Sequence, residues 1–375
     1  MQRFNRHLSR AVLAAAVLAF GITQASAQGQ PPVKIGFPGA HKVFIGAQLL
    51  KGAQLATAMI NEDGGILDGR QIELVVYDTG FSPAEGVSAV QRLINEDGVK
   101  LITGELSSTV AYAEIPVIQE AGALFMPSLP KHPGITQTGY DRIFRVNSTT
   151  QMDIDAFRPI LLERFADKSV ALITENSEAW IDSRRMLREV FDKPGQIVFD
   201  DLYELDQGDY TALVTNVRRS GAEVLCITGT TPEHYANIIR SAGEIGYRPH
   251  ICLVPGILFP GAVEIAGEAM EGAVSADVYV PNLDNEMNRK FVAAYEAAHG
   301  TKPDKGVALG FESVWVLAQA MEMARTADDV GAIADVIRET VWEVPRGIVE
   351  YDESGQASST HYLMTVKDGR IEQWQ

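Results

Sequence analysis

The sequence predicts an α/β protein of two lobes, each a parallel sheet flanked by helices. Three observations carry that expectation. Short apolar strands alternate with amphipathic helices through most of the 375 residues, the pattern of parallel sheets covered on both faces. The alternation runs to about residue 147 and then restarts. The roughly 350 residues beyond an N-terminal leader exceed what one core of ordinary size holds.

The leader comes first. Arg3, Arg6 and Arg10 form a basic start, Ala11 to Ile22 is an apolar run, and Ala25-Ser26-Ala27 has small-x-small spacing. Residues 1–27 therefore read as a secretory signal peptide. The apolar run of about a dozen residues is shorter than the about 20 that cross a bilayer. The mature chain starts near Gln28 and is expected in the periplasm.

The elements follow in order. Val33 to Phe37 reads as a strand, Gly46 to Asn61 as a helix, and Gln71 to Tyr77 as a strand. Next come a helix at Pro83 to Asn95, a strand at Val99 to Thr103, a helix at Ser108 to Ala121 and a buried strand at Leu124 to Met126. Ile143 to Val146 reads as a strand that carries the chain elsewhere. The second unit has strands at Val170 to Thr174, Ile197 to Tyr203, Val224 to Thr228 and Ile251 to Val254. Helices at Glu178 to Phe191, Tyr210 to Arg219 and Pro232 to Ile245 separate them. Three helical stretches follow, Glu286 to His299, Gly306 to Ala324 and Val330 to Val341. The alternating segments Gly347 to Asp352 and His361 to Val366 read as an antiparallel hairpin pair.

Composition narrows the function. With 46% hydrophobic and 22% charged residues the chain is globular. Its net charge of −17 becomes more acidic once the three leader arginines leave. Such a surface repels nucleic acid and anionic lipid. Cys226 and Cys252 each sit in an apolar run; two inert buried thiols are favoured over a bridge, which export permits chemically. No phosphate loop, dinucleotide fingerprint, nucleophile elbow or zinc-protease motif is present. No cofactor and no metal is expected, and binding is favoured over catalysis.

Three passages add a specific resemblance. Met59 to Arg70 ends a helix at Asn61-x-x-Gly64-Gly65, turns, and leads into a strand that closes at Asp78. Gly104 to Thr109 is a hydroxyl-rich strand-to-helix turn, and Gly347 to Asp352 with Gly355 precedes the closing strand. Over nearly the whole mature chain these resemble the type I periplasmic solute-binding proteins of branched-chain amino-acid ABC transporters. On residues alone, the glycines also serve as a helix C-cap, and Asp78 as a loop cap. The resemblance implies two lobes joined by three hinge crossovers, near Asn147-Ser148, Tyr279-Val280-Pro281 and Val344-Pro345. Lobe 1 would be residues 31–147 and 281–344, and lobe 2 residues 148–280 and 345–375. The implied partners are a small solute and a membrane permease–ATPase complex, with the receptor a monomer. The alternative on the same fold is a ligand-sensing receptor that feeds a signalling partner.

Ligands of open α/β sheets bind beyond the carboxyl ends of the strands. Ser107, Ser108 and Thr109 open a helix there, where free N–H groups suit an anion; a plain N-cap is the other reading. The resemblance makes Ser108 a carboxylate ligand. It also places Ser128, Leu129 and Lys131 in the next loop, with Lys131 either pairing with a ligand carboxylate or facing solvent. Trp180 falls where the family carries a covering aromatic, or it anchors a helix. Thr230 replaces a pocket aromatic. Pro255 stands where the branched-chain binders carry an acid for the ligand ammonium, with Glu175 the nearby substitute. Phe44 is an apolar lid or a core residue. These departures lean toward an organic acid, an aromatic acid or an amino-acid derivative.

Overall fold

The computed structural model describes residues 30–204 and 208–374; the signal-peptide reading lies outside the described residues. The chain first lays down β1 (Val33–Gly39), α1 (Phe44–Glu62), β2 (Ile72–Asp78), α2 (Pro83–Asn95), β3 (Leu101–Gly104), α3 (Ser108–Glu120) and β4 (Leu124–Pro127). These strands form a parallel sheet in the order β2-β1-β3-β4. The two inner strands, β1 and β3, are apolar runs buried almost throughout, as expected of a sheet covered on both faces.

A second unit follows with α4 (Thr150–Phe165), β5 (Val170–Glu175), α5 (Glu178–Val190), β6 (Ile197–Tyr203), α6 (Thr211–Ser220), β7 (Val224–Thr228), α7 (Pro232–Glu244), β8 (His250–Leu253), α8 (Pro260–Ala266) and β9 (Val274–Asp277). The chain then returns. Helices α9 (Glu286–His299), α10 (Lys305–Ala324) and α11 (Val330–Glu339) pack on the first sheet. Strands β10 (Trp342–Val344) and β11 (Gly347–Val349) make a two-stranded antiparallel ribbon. Finally β12 (Tyr362–Lys367) and β13 (Arg370–Gln373) join the second sheet, whose order is β13-β12-β9-β8-β7-β5-β6. The result is a two-lobed α/β fold with an apolar core on each face of each large sheet.

The Asn-x-x-Gly-Gly turn has a mechanical explanation. The Asn61 side chain donates to Ile72 O at 2.9 Å and accepts from Ile72 N at 2.8 Å, pinning the start of β2 to the end of α1. Gly65 turns at φ +82°, and a methyl there would lie 2.3 Å from Arg70 O. Asp78 is a loop fastener: it accepts from the backbone N–H of His41 and Gly80 and pairs with Lys42 at 2.7 Å. Helices α1 and α10 meet backbone to backbone, since a methyl on Gly52 or Gly310 would lie 2.0 Å from Val307 O or Leu49 O.

Two expectations change. Ile143 to Val146 is not a strand; it makes single bridges, Phe125 with Ile143 and Arg145 with Gln356. The tail is not one hairpin: β11 pairs with β10, whereas β12 pairs with β9 and β13. Alternation gave both segments a strand period and could not name their partners. The sequence reading has no counterpart to helix α4, in which Pro159 interrupts the pattern although Ile154, Phe157, Leu161 and Phe165 recur at helical spacing. Cys226 and Cys252 are free, buried register partners in β7 and β8, and burial pushes the Cys226 thiol well up.

The segments that pass between the sheets are stitched together. Arg346 grips Glu312 of α10 through two hydrogen bonds of 2.7 and 2.8 Å, both side chains being buried. Its remaining N–H groups donate to Val146 O and Ser358 O, each at 3.0 Å. Asn285 donates to Pro345 O and Asn288 to Pro281 O, both at 3.1 Å. Removing one member of a buried pair strands the other charge. Arg346→Met should therefore cost about 3–5 kcal/mol in urea denaturation; an unchanged midpoint would show that the pair is not a structural hub.

Candidate functional site

The loops after β3, β4, β5, β7 and β8 converge on one cavity of about 410 Å³ between the two sheets. Leu106, Ser107, Ser108 and Thr109 come from the β3–α3 turn, and Leu129 and Lys131 follow β4. Glu175, Ser177 and Trp180 face them from the end of β5 and the start of α5, with Thr230 after β7 and Gly256 after β8. The carboxyl ends of both parallel sheets thus share one chamber, where open α/β sheets bind ligands.

The first wall is a helix start with its anion capacity partly in use. Ser107 is the N-cap of α3, accepting from Val110 N at 3.4 Å. Glu105, buried and at φ +51°, accepts the Leu106 and Ser107 N–H groups at 2.7 Å each. Burial pushes its carboxyl up, against those hydrogen bonds. Ser108 Oγ accepts from the N–H groups of Lys131 and His132 at 3.2 and 3.3 Å. With both lone pairs engaged, its remaining capacity is to donate its hydroxyl proton.

The opposite wall is a relay. Trp180 Nε1 donates to Thr230 Oγ1 at 2.8 Å, and that hydroxyl donates to Glu175 Oε1 at 3.0 Å. Glu175 also accepts from Thr230 N at 2.7 Å and from Ser177 Oγ at 3.1 Å. The carboxylate therefore fixes the β7–α7 loop and, through Thr230, the indole.

Two lysines reach across the seam. Lys131 pairs with Asp153 of α4 and donates to Pro255 O at 3.3 Å. Asp153 also accepts from Ser148 Oγ and meets His361 Nε2 at 2.7 Å. Burial alone would raise the Asp153 carboxyl; the Lys131 ammonium and His361 reverse this and hold it at about 2. Lys305, at the first turn of α10, donates to Gly256 O at 2.6 Å and lies 3.4 Å from Asp277, both ionic groups being buried. Burial lowers its ammonium pKa, with Asp277 opposing.

Of the residues singled out in the sequence, Ser107, Ser108, Thr109, Leu129, Lys131, Trp180 and Thr230 line the chamber. Three do not. Ser128 is fully buried just after β4, its hydroxyl 3.4 Å from Thr103 Oγ1 of the neighbouring strand β3. Phe44 sits outside the wall and meets the Phe259 ring edge-on at 6.2 Å between centroids, leaving Phe259 as the cavity-facing ring. Pro255 contributes its carbonyl to Lys131, and Gly256 takes its place on the wall. Sequence reasoning missed Phe81, Phe259 and Lys305. A faint signal existed for Lys305: a cation in the first turn of a helix opposes the helix dipole and needs a tertiary reason.

Residues 35–370 match the family model described as periplasmic binding protein. The leucine-, isoleucine-, valine-, threonine- and alanine-binding protein of Pseudomonas aeruginosa is 26% identical over 369 residues, covering 97% of this chain and 96% of that protein. A leucine-binding protein of Thermotoga maritima superposes with TM-score 0.81 at 25% identity, over 92% of this chain and 98% of its own. A branched-chain amino-acid transporter substrate-binding protein of Streptococcus pneumoniae, solved with isoleucine, gives TM-score 0.83 at 25% identity, over 91% and 98%. The chain belongs to the periplasmic binding protein family and is a solute receptor, not an enzyme.

Proposed function

We propose that the protein is the periplasmic substrate-binding component of an ABC importer, and that it captures a small carboxylate-bearing solute by closing its two lobes. One observation carries the ligand class: Ser108, with its lone pairs already taken, can offer only a proton to the chamber. The first N–H groups of α3 adjoin it and the Lys131 ammonium lines the same chamber, all suited to an anion. Leu129, Trp180 and Phe259 supply apolar cover for the body of the ligand.

On this reading lobe 1 comprises residues 31–147 together with the return through α9–α11, and lobe 2 begins at residue 148. Three passages would form the hinge. Val349, Tyr351 and Ala357 pack in the core of the first sheet, so we put the third passage between Ala357 and Tyr362 rather than at Val344-Pro345. Lobe closure buries the guest, and the hinge reports occupancy to the membrane complex.

Ser108→Ala should weaken the bound carboxylate at least about tenfold, or about 1.4 kcal/mol, by calorimetry; unchanged affinity removes Ser108 from the site. Ligand should change tryptophan emission, and Trp180→Phe should abolish most of that change while the other three tryptophans remain; a persistent signal would put Trp180 outside the closing cleft. The seam also has a pH signature. The Asp153 carboxyl is held below its ordinary range at about 2, so its contribution is complete above about pH 4 and is lost as pH falls toward about 2. Asp153→Asn should flatten that acid limb by about 2 kcal/mol in urea titrations across this range.

A further inference from the structure

We propose that the cleft selects carboxylic acids that carry no amino group, and that Lys131 and Lys305 exclude the ammonium of an amino acid. The inference rests on the carboxylate reading above and deepens it. Both lysines line the chamber, and their ammonium groups converge on the turn after β8. A methyl built on Gly256 would lie 2.8 Å from Lys131 Nζ and 2.4 Å from Lys305 Nζ. The carbonyls of Pro255 and Gly256 already accept from these two cations. Their carboxylate partners, Asp153 and Asp277, are not on the chamber wall.

Among the described wall residues the remaining ionisable one is Glu175, 1% exposed and holding three hydrogen bonds from Ser177 and Thr230. It is built into the wall. An entering ammonium therefore meets two fixed like charges and a carboxylate already tied to neutral donors. Burying a charge without a counter-charge is strongly disfavoured. A carboxylate meets the reverse: the Ser108 hydroxyl, free amide groups and two cations in a low-dielectric space. Phe81, Leu106, Ile257 and Phe259 leave an apolar surround for an alkyl or aryl body. The class is thus a monocarboxylate with a branched alkyl or aryl group, 2-oxo acids included.

Matched ligands test this on the exported full chain. Calorimetry would compare 4-methyl-2-oxopentanoate with leucine, phenylpyruvate with phenylalanine, and phenylglyoxylate with phenylglycine. The expected result is that the amine-free member binds at least about tenfold tighter in every pair that binds. Lys131→Met should narrow that ratio at least about threefold, whereas Lys131→Arg should keep it. The wild-type ratio stands even if a variant fails to fold. An amino acid that binds as tightly as its oxo partner overturns the proposal and leaves the carboxylate reading intact. No binding by any of the six acids overturns both.

Discussion

A buried ion pair, with the further hydrogen bonds of its arginine, organises this molecule. Glu312 lies in the interior of α10, fully removed from water, and a lone carboxylate there would be prohibitive. Arg346 answers it with a two-pronged contact and uses its remaining donors on the carbonyls of Val146 and Ser358. Those carbonyls lie on stretches that run between the two sheets. A planar guanidinium presents five donors in a rigid fork, so a single side chain sets the spacing of three chain segments. Tyr362, at the start of β12, closes the circuit by donating to Arg346 O at 3.0 Å. Two globular bodies that each have their own cores are held in register at the seam by polar groups, whose directionality preserves alignment where apolar packing would slide.

The same economy of charge governs the cleft. Cations beside the first sheet meet anions and carbonyls beside the second, Lys131 with Asp153 and Lys305 with Asp277 and Gly256. Each contact lies in the closing seam, so its electrostatic strength depends on how far water is excluded. Glu175 acts at the other wall as an internal brace, transmitting the position of β5 to Thr230 and then to the Trp180 indole.

Much of the scaffold is legible in the sequence. The strands of the parallel sheets announced themselves because burial on both faces demands unbroken apolar runs, as in Val170 to Thr174 and Val224 to Thr228. The turn at Asn61-x-x-Gly64-Gly65 was legible because positive φ and a fixed side-chain bond leave few alternatives. Ser107 and Ser108 illustrate the limit. The sequence marked both as helix-opening hydroxyls; only their partners separate a cap that is closed on Val110 from a hydroxyl free to donate. Ser128, expected in the ligand loop, and Phe44, expected as a lid or a core residue, both lie off the wall, because one residue of strand register or one turn of loop decides which way a side chain faces.

By itself the sequence determined the class of fold, the two-part plan and the carboxyl-end loops that build the chamber, since these follow from local periodicity and turn chemistry. Tertiary structure decided which distant charges meet. Lys131 and Asp153, Lys305 and Asp277, and Arg346 and Glu312 stand 22, 28 and 34 positions apart in the chain. No local pattern encodes such pairs, because a charged side chain carries the same propensity whether it faces water or a buried partner. The pairing is fixed only when the two sheets come together and water leaves the space between them.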